Sequence, residues 1–307
     1  MKKLFTLLAL TITFSMNAQV STNSTSPTGI YASAMGNGTT ASGNESTAMG
    51  YDTTASGEAS TAMGYSTTAS AQGSTAMGKL TTASGAASTA MGYQTTASGD
   101  YSTAMGNSST AMGNSSTAMG RQTRASGVYS TAMGYDTTAS DYASLVIGQY
   151  NSSGSSATNA VSFSTSNTAF VIGNGTASNA KSDAFKVMFN GDATVSNDLT
   201  VSGDVNITSD ARLKSNIVSL GSTLSKLLQI DGKFYEMKGK QKIGVLAQEI
   251  QEVFPELVSE DDNEMLAVNY QGLVPVLINA LKEQDKIIKT QEERLNKIEE
   301  LLVNLNE

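Results

Sequence analysis

Ser209 and Lys214 stand five residues apart in Ser209-Asp210-Ala211-Arg212-Leu213-Lys214-Ser215-Asn216-Ile217, where a glycine-rich, almost uncharged chain gives way to a charged, lysine-rich one. A hydroxyl and an amine are what this sequence offers for covalent chemistry. It contains no Cys and no His, which excludes Cys–His and Ser–His–Asp catalysis and zinc sites built on thiolate or imidazole. A Ser or Thr nucleophile would need another base, and Lys is the natural one. By itself Ser-x4-Lys is a common pattern, and Ser209-Asp210 also reads as a helix cap. Geometry narrows the choice. Positions five apart lie about 140° around an α-helix, so the two side chains cannot meet on one. A dyad therefore requires a turn or loop. It also requires a neutral amine, hence a partly buried lysine, with cover supplied by the rest of the domain or by neighbouring subunits.

The stretch has the form SDxRLKxNI and resembles the start of the C-terminal intramolecular chaperone and self-cleaving peptidase domain of phage endosialidases, other tail fibres and myelin regulatory factor. The resemblance implies that Ser209 is the nucleophile, Lys214 its base and Thr208–Ser209 the bond that is cut. Asp210, Arg212, Leu213, Asn216 and Ile217 complete the motif. Downstream, Gly244-Val245-Leu246-Ala247-Gln248-Glu249-Ile250 and then Pro255 and Val258 are similar to the family's GxxAQExxxxxPxxV signature, and Val268-Asn269-Tyr270 is also family-like. These residues read equally as packing: an amphipathic helix ended near Pro255, then an acidic loop from Ser259 to Glu264. The resemblance is read over residues 209–307.

The elements that must gather and cover such a site follow. Leu277, Leu281, Gln284, Ile288, Gln291, Leu295, Ile298, Leu302 and Leu305 alternate spacings of four and three, a heptad seam that predicts a self-associating coiled coil. Three chains held together there would be collected before a slow, non-local β topology forms.

Upstream, Ala-Met-Gly ends at Gly36, Gly50, Gly64, Gly78, Gly92, Gly106, Gly120 and Gly134, always fourteen residues apart, and Ala-Ser-Gly lies midway. Ala71 and Asp141 replace Gly in that phase, and Met112 replaces Ser. Every seventh residue being Gly or its substitute excludes a helical heptad. Short strands and Gly turns predict one β-solenoid coil per fourteen residues, about eight coils and a rod of about 40 Å. Alternation points Ala inward, with an interior of little more than Ala and Ser, and sets the Met row toward a neighbouring subunit. Tyr51, Tyr65, Tyr93 and Tyr135 predict a structural stack. The repeat resembles the head of YadA-like trimeric autotransporter adhesins (SxAxGxxSxAxGxx). That implies a left-handed parallel β-roll, a trimer, and a surface or host ligand. Nothing like that family's membrane β-barrel is expected, so its export route is not carried over.

Composition sets the remaining bounds. The formal charge of −8, or −10 without Lys2 and Lys3, argues against nucleic acid or anionic lipid as a partner. Met1-Lys2-Lys3 and the apolar Leu4–Phe14 stretch predict a signal peptide cut after Ala18, an exported mature chain and no transmembrane segment in it. Strands are expected at Ala184–Asp192, entering an Asn-Gly turn, and at Asp198–Ile207. Asp192, Asp198 and Asp204 lack an EF-hand pattern and read as turn residues, and no metal or cofactor is expected. The division is thus signal peptide 1–18, tail 19–30, head 31–150, β-rich connector 151–208, chaperone 209–272 and coiled coil 273–307, mainly β and then α. The reading is an exported trimeric fibre whose chaperone cuts itself off. A non-cleaving fibre and a phage-derived tail fibre are the alternatives. A glycan hydrolase is disfavoured, because Glu45, Asp52 and Glu58 fall at variable turn positions without a catalytic pocket.

Overall fold

Each fourteen-residue unit closes into one coil of a parallel β-solenoid in the computed structural model, which describes residues 24–261 and 264–305. The signal peptide and its cut after Ala18 lie outside the described residues. The chain divides into two compact units between Asp204 and Val205.

In the first unit a five-residue strand, Thr-Ala-Met-Gly-x in most coils, and a two-residue strand, mostly Thr-Ala, alternate along the chain. Strands of each kind stack on their own kind in parallel register fourteen residues apart, as in Thr89↔Thr103 and Met91↔Met105. Among the described residues there are about nine coils, one more than expected. The first uses Ser26–Pro27, which pairs with Thr40–Ala41 although it matches no repeat consensus. Inside, Ala48, Ala55, Ala62 and their equivalents are fully buried, as the alternation predicts. Thr53, Thr67, Thr81 and Thr95 are buried as well, so the interior is not confined to Ala and Ser. Their methyl groups fill volume that Ser would leave empty, and their hydroxyls find no partner. Two alanine methyls per coil bury little apolar surface. The backbone ladders, and whatever covers the outward rows, must carry much of the stability.

Glycine is required where coils touch. Gly92 has φ +120°, and a Cβ there would lie 2.1 Å from the carbonyl oxygen of Gly106. The corners are different. Asp52, Ser66, Leu80 and Gln94 hold φ of 50–57° and Glu45 sits at +58°, so these variable residues are turn residues in the left-handed region. Beside one corner runs the tyrosine row: Tyr51 and Tyr65 stack at 5.0 Å, and Lys79 lies 5.5 Å from the Tyr65 ring and 5.7 Å from that of Tyr93. Arg121 covers Tyr135 at 5.2 Å. Ring faces occupied by neighbours make this a spine along the coils.

The stack ends at Asp141. Thr138–Ala139 is the last two-residue strand, so no further coil crowds the Gly phase and a side chain fits. The Asp141 carboxylate, fully buried, accepts from the backbone N–H groups of Thr158, Asn159 and Thr168. It ties down the insertion that lengthens the final spacing, since Leu145 pairs with Phe170. That pairing brings β1 (Thr168–Asn174) onto the sheet, followed antiparallel by β2 (Asp183–Met188) and β3 (Ala193–Val195). The Asn190-Gly191 turn joins β2 to β3 as expected, with Asp192 hydrogen-bonded to Asn190 inside it. The second expected strand is not there: Asp198–Ile207 carries no strand. Leu199, Val201, Val205 and Ile207 are exposed, because alternation gives a strand two faces but no partner to pair with.

The second unit is small. Its core is Ile250, Phe254 and Val276, with Leu227, Ile230, Val253 and Leu273 packed around them. A short helix α1 (Leu224–Leu227) precedes the hairpin of β4 (Lys233–Met237) and β5 (Lys240–Gly244). Helix α2 (Ala247–Val253) ends two residues before Pro255, whose ring cannot continue it. Strands β6 (Val258–Glu260) and β7 (Leu266–Val268) pair antiparallel, so Ser259 and Glu260 belong to a strand and not to the acidic loop expected there. Helix α3 (Leu273–Leu305) runs for 33 residues. Leu277, Leu281, Ile288, Leu295, Ile298 and Leu302 on its seam are all exposed in the single chain.

Candidate functional site

The SDxRLKxNI stretch folds as one tight turn between extended residues. Asp210 is its N-cap: Oδ1 accepts from the backbone N–H of Arg212 at 2.8 Å. Ala211–Leu213 form a single 3-10 turn, and Lys214 closes it, its N–H donating to the Ala211 carbonyl at φ −119° and ψ 145°. Because the chain re-extends at Lys214 and never completes an α-helix, the angular objection to a Ser-x4-Lys contact disappears. Lys214 Nζ donates to Ser209 Oγ at 2.6 Å. Two residues later Asn216 takes φ +52°, a left-handed conformation that Asn tolerates better than most residues, and this turns the chain away.

Electrostatics in the turn centre on one pair. Arg212 grips Asp210 through Nη2 at 2.7 Å and Nε at 3.1 Å. The guanidinium holds the Asp210 carboxyl below the usual range, and Arg212 is raised by the same contact. Ser209 and Lys214 are both exposed in the single chain, as are Leu213, Ile217 and Val218 beside them. Among the described residues nothing shields the pair from water.

The downstream motif residues have structural partners. A Cβ at Gly244 would lie 2.7 Å from Tyr270 Oη, so a side chain there would push that hydroxyl away. That hydroxyl accepts from the Val245 N–H at 3.2 Å. Ala247, Gln248 and Glu249 open α2, and Glu249 pairs with Lys233 at 3.1 Å, binding the hairpin to the helix. The Lys233 ammonium, held first by Asp231 and then by Glu249, is raised above its ordinary range. Pro255 starts the 3-10 turn that follows. One polar node was not legible in the motif: Glu283 on α3 accepts from Ser222 Oγ at 2.6 Å and from the Thr223 N–H, while Thr223 Oγ1 donates to the Val276 carbonyl at 3.0 Å. The partners lie some sixty residues apart in sequence, where no spacing rule applies. Among the described residues no group of acidic side chains could hold a metal ion, and no helix is long and apolar enough to cross a membrane.

Comparison with known proteins agrees with the two halves of this architecture. The YadA head domain repeat matches at residues 28–53, 55–81, 83–109, 111–137 and 125–151. The family described as chaperone of endosialidase matches residues 209–259, beginning at Ser209 and stopping before β7 and α3. No curated protein matches the chain. These families are surface and fibre modules, and the second is of the autoproteolytic peptidase class. The chain thus carries YadA head repeats followed by an endosialidase-type chaperone segment, in that order.

Proposed function

We propose that the protein is an exported homotrimeric fibre with an adhesive or receptor-binding head, and that its C-terminal chaperone releases itself by cutting Thr208–Ser209 once the trimer has formed. The observation that carries the reading is the 2.6 Å contact between Lys214 Nζ and Ser209 Oγ in a segment whose family is self-cleaving. Ser209 Oγ attacks the Thr208 carbonyl carbon and passes its proton to Lys214. The Thr208–Ser209 C–N bond breaks, and the proton moves on from Lys214 to the freed Ser209 nitrogen. Water then hydrolyses the Thr208 ester, giving a Thr208 carboxylate and restoring the Ser209 hydroxyl. The substrate is the chain itself, turned over once.

Exposure explains the timing. A general base works best where it is shielded from water. The apolar side chains around the dyad, and the exposed seam of α3, are what two further chains would cover. The Met row of the head, in register from Met35 to Met133, is the surface assigned to the same contact. Intact-mass and denaturing-gel analysis of residues 19–307 tests this, alongside Ser209→Ala and Lys214→Ala. Fragments meeting at Thr208/Ser209 in the wild type and one full-length trimeric chain in both variants are expected. An uncut wild-type trimer refutes the peptidase and leaves a permanently clamped fibre.

A further inference from the structure

Between Ser209 and Lys214 lie three residues of 3-10 turn and the aspartate that caps it, so the separation of the two reacting atoms is set by that turn. Among the described residues the Asp210 side chain makes two contacts that could hold it. One is the cap, Asp210 Oδ1 accepting from the Arg212 N–H at 2.8 Å, which fixes backbone. The other is the ion pair with the Arg212 guanidinium, which is intra-turn and largely in water, with the arginine side chain 88% exposed. Such a pair contributes little. A cap biases the backbone toward the turn it closes, beside the backbone bonds from the Leu213 and Lys214 N–H groups.

We propose that Asp210 is a positioning residue for self-cleavage, acting through its cap on the backbone and not through its charge or its pairing with Arg212. The proposal rests on the dyad reading above. Asn and Ser are caps as good as Asp, yet neither forms the ion pair, which makes the two roles separable. In full-length trimers the first-order rate of fragment appearance should stay within about threefold of wild type for Asp210→Asn, Asp210→Ser and Arg212→Ala. It should fall at least about fivefold for Asp210→Ala, the fold-change that an ordinary cap is worth when it is lost from the reacting geometry.

Trimer content, measured by sedimentation before cleavage, should be the same in all four variants. Rescue by Asn and Ser is the readout that a charge role would not give. The proposal is overturned if Asp210→Asn is as slow as Asp210→Ala, if Arg212→Ala matches Asp210→Ala, if Asp210→Ala cleaves at the wild-type rate, or if its slow cleavage is explained by lost trimer. Failure of the underlying reading looks different: wild type itself does not cut, or Ser209→Ala cuts as wild type does, and the proposal falls with it.

Discussion

Replacing Gly92 by Ala in the middle of the head should split the solenoid. The added Cβ would lie 2.1 Å from the Gly106 carbonyl oxygen and 3.0 Å from its carbonyl carbon, and both are backbone atoms that no rotamer change can move. The strand 103–107 must retreat, which loosens the Met91↔Met105 rung and its neighbours. Overpacking of this kind costs about 1–3 kcal/mol, and φ +120° is a conformation that Ala adopts only under strain of about 1–3 kcal/mol. Their sum is about 2–6 kcal/mol per chain. In a solenoid the loss falls on one nearest-neighbour interface, so the coils on either side should melt separately. Gly73→Asn is the control. Its φ is +63°, the nearest atom to an added Cβ is Ala87 Cα at 3.8 Å, and Ala59, Ala87 and Tyr101 already hold φ of 51–58° in that phase. It should change stability by less than about 0.5 kcal/mol. Thermal melts by circular dichroism, with proteolysis to locate the break, read both. A Gly92→Ala head that melts in one transition at the wild-type temperature would refute the account of why these glycines are needed.

The interior makes a paired prediction. Ala90→Val, between Ala76 and Ala104, should cost about 1–3 kcal/mol by overpacking. Val146→Ala should cost about 2 kcal/mol for the opposite reason, because Val146 is fully buried and pairs with Val171 at the end of the interior row. Urea midpoints test both. In the second unit Glu283 is held below its ordinary pKa, first by Ser222 and then by the Thr223 N–H. A depressed carboxyl stabilises above its unfolded value of about 4.3 and loses that contribution as pH falls through the folded value. Docking of α1 on α3 should therefore weaken below about pH 4, and Glu283→Gln should flatten the dependence, as read by urea unfolding of the chaperone unit across pH.

Periodicity made the head legible, since a fourteen-residue phase kept over eight Ala-Met-Gly triplets leaves few ways to fold. It was weaker where the period stops. Ser26–Pro27 stacks without the Thr-Ala pair of most coils, though Gly29 keeps the Gly phase. The register resumes after a jump from Leu145 to Phe170, where Phe170-Val171-Ile172-Gly173 still echoes the repeat in sequence. Buried Thr53 and its equivalents lie two residues before an inward Ala, on the face that alternation assigns to the interior; the small interior expected of each coil, and not the pattern, argued against them. At the site the motif named Ser209 and Lys214, and the angular argument required a turn. Which residue made that turn, and that Asn216 would sit at positive φ, were backbone facts that residue types only permit. The contacts of Glu283 with Ser222 and Thr223 had no sequence signal at all.

Uniform coils raise a difficulty for assembly. If three heads associate along their repeats, a slip of fourteen residues preserves every contact except those at the ends. The correct register must be set by something that does not repeat. One feature of the head that does not repeat is Asp141, the buried carboxylate holding the N–H groups of Thr158, Asn159 and Thr168. Asp141→Gly restores the repeat consensus, yet it leaves three backbone donors without their acceptor, at about 1–3 kcal/mol for each that stays buried. The insertion between Tyr150 and Asn167 should then become the first site of proteolysis. Trimers carrying the change should also include slipped species, visible as heterogeneous cross-links between engineered cysteines on matching coils. A homogeneous cross-link pattern with an intact insertion would mean that register is set entirely by the C-terminal helix, and that Asp141 merely closes the end of the stack.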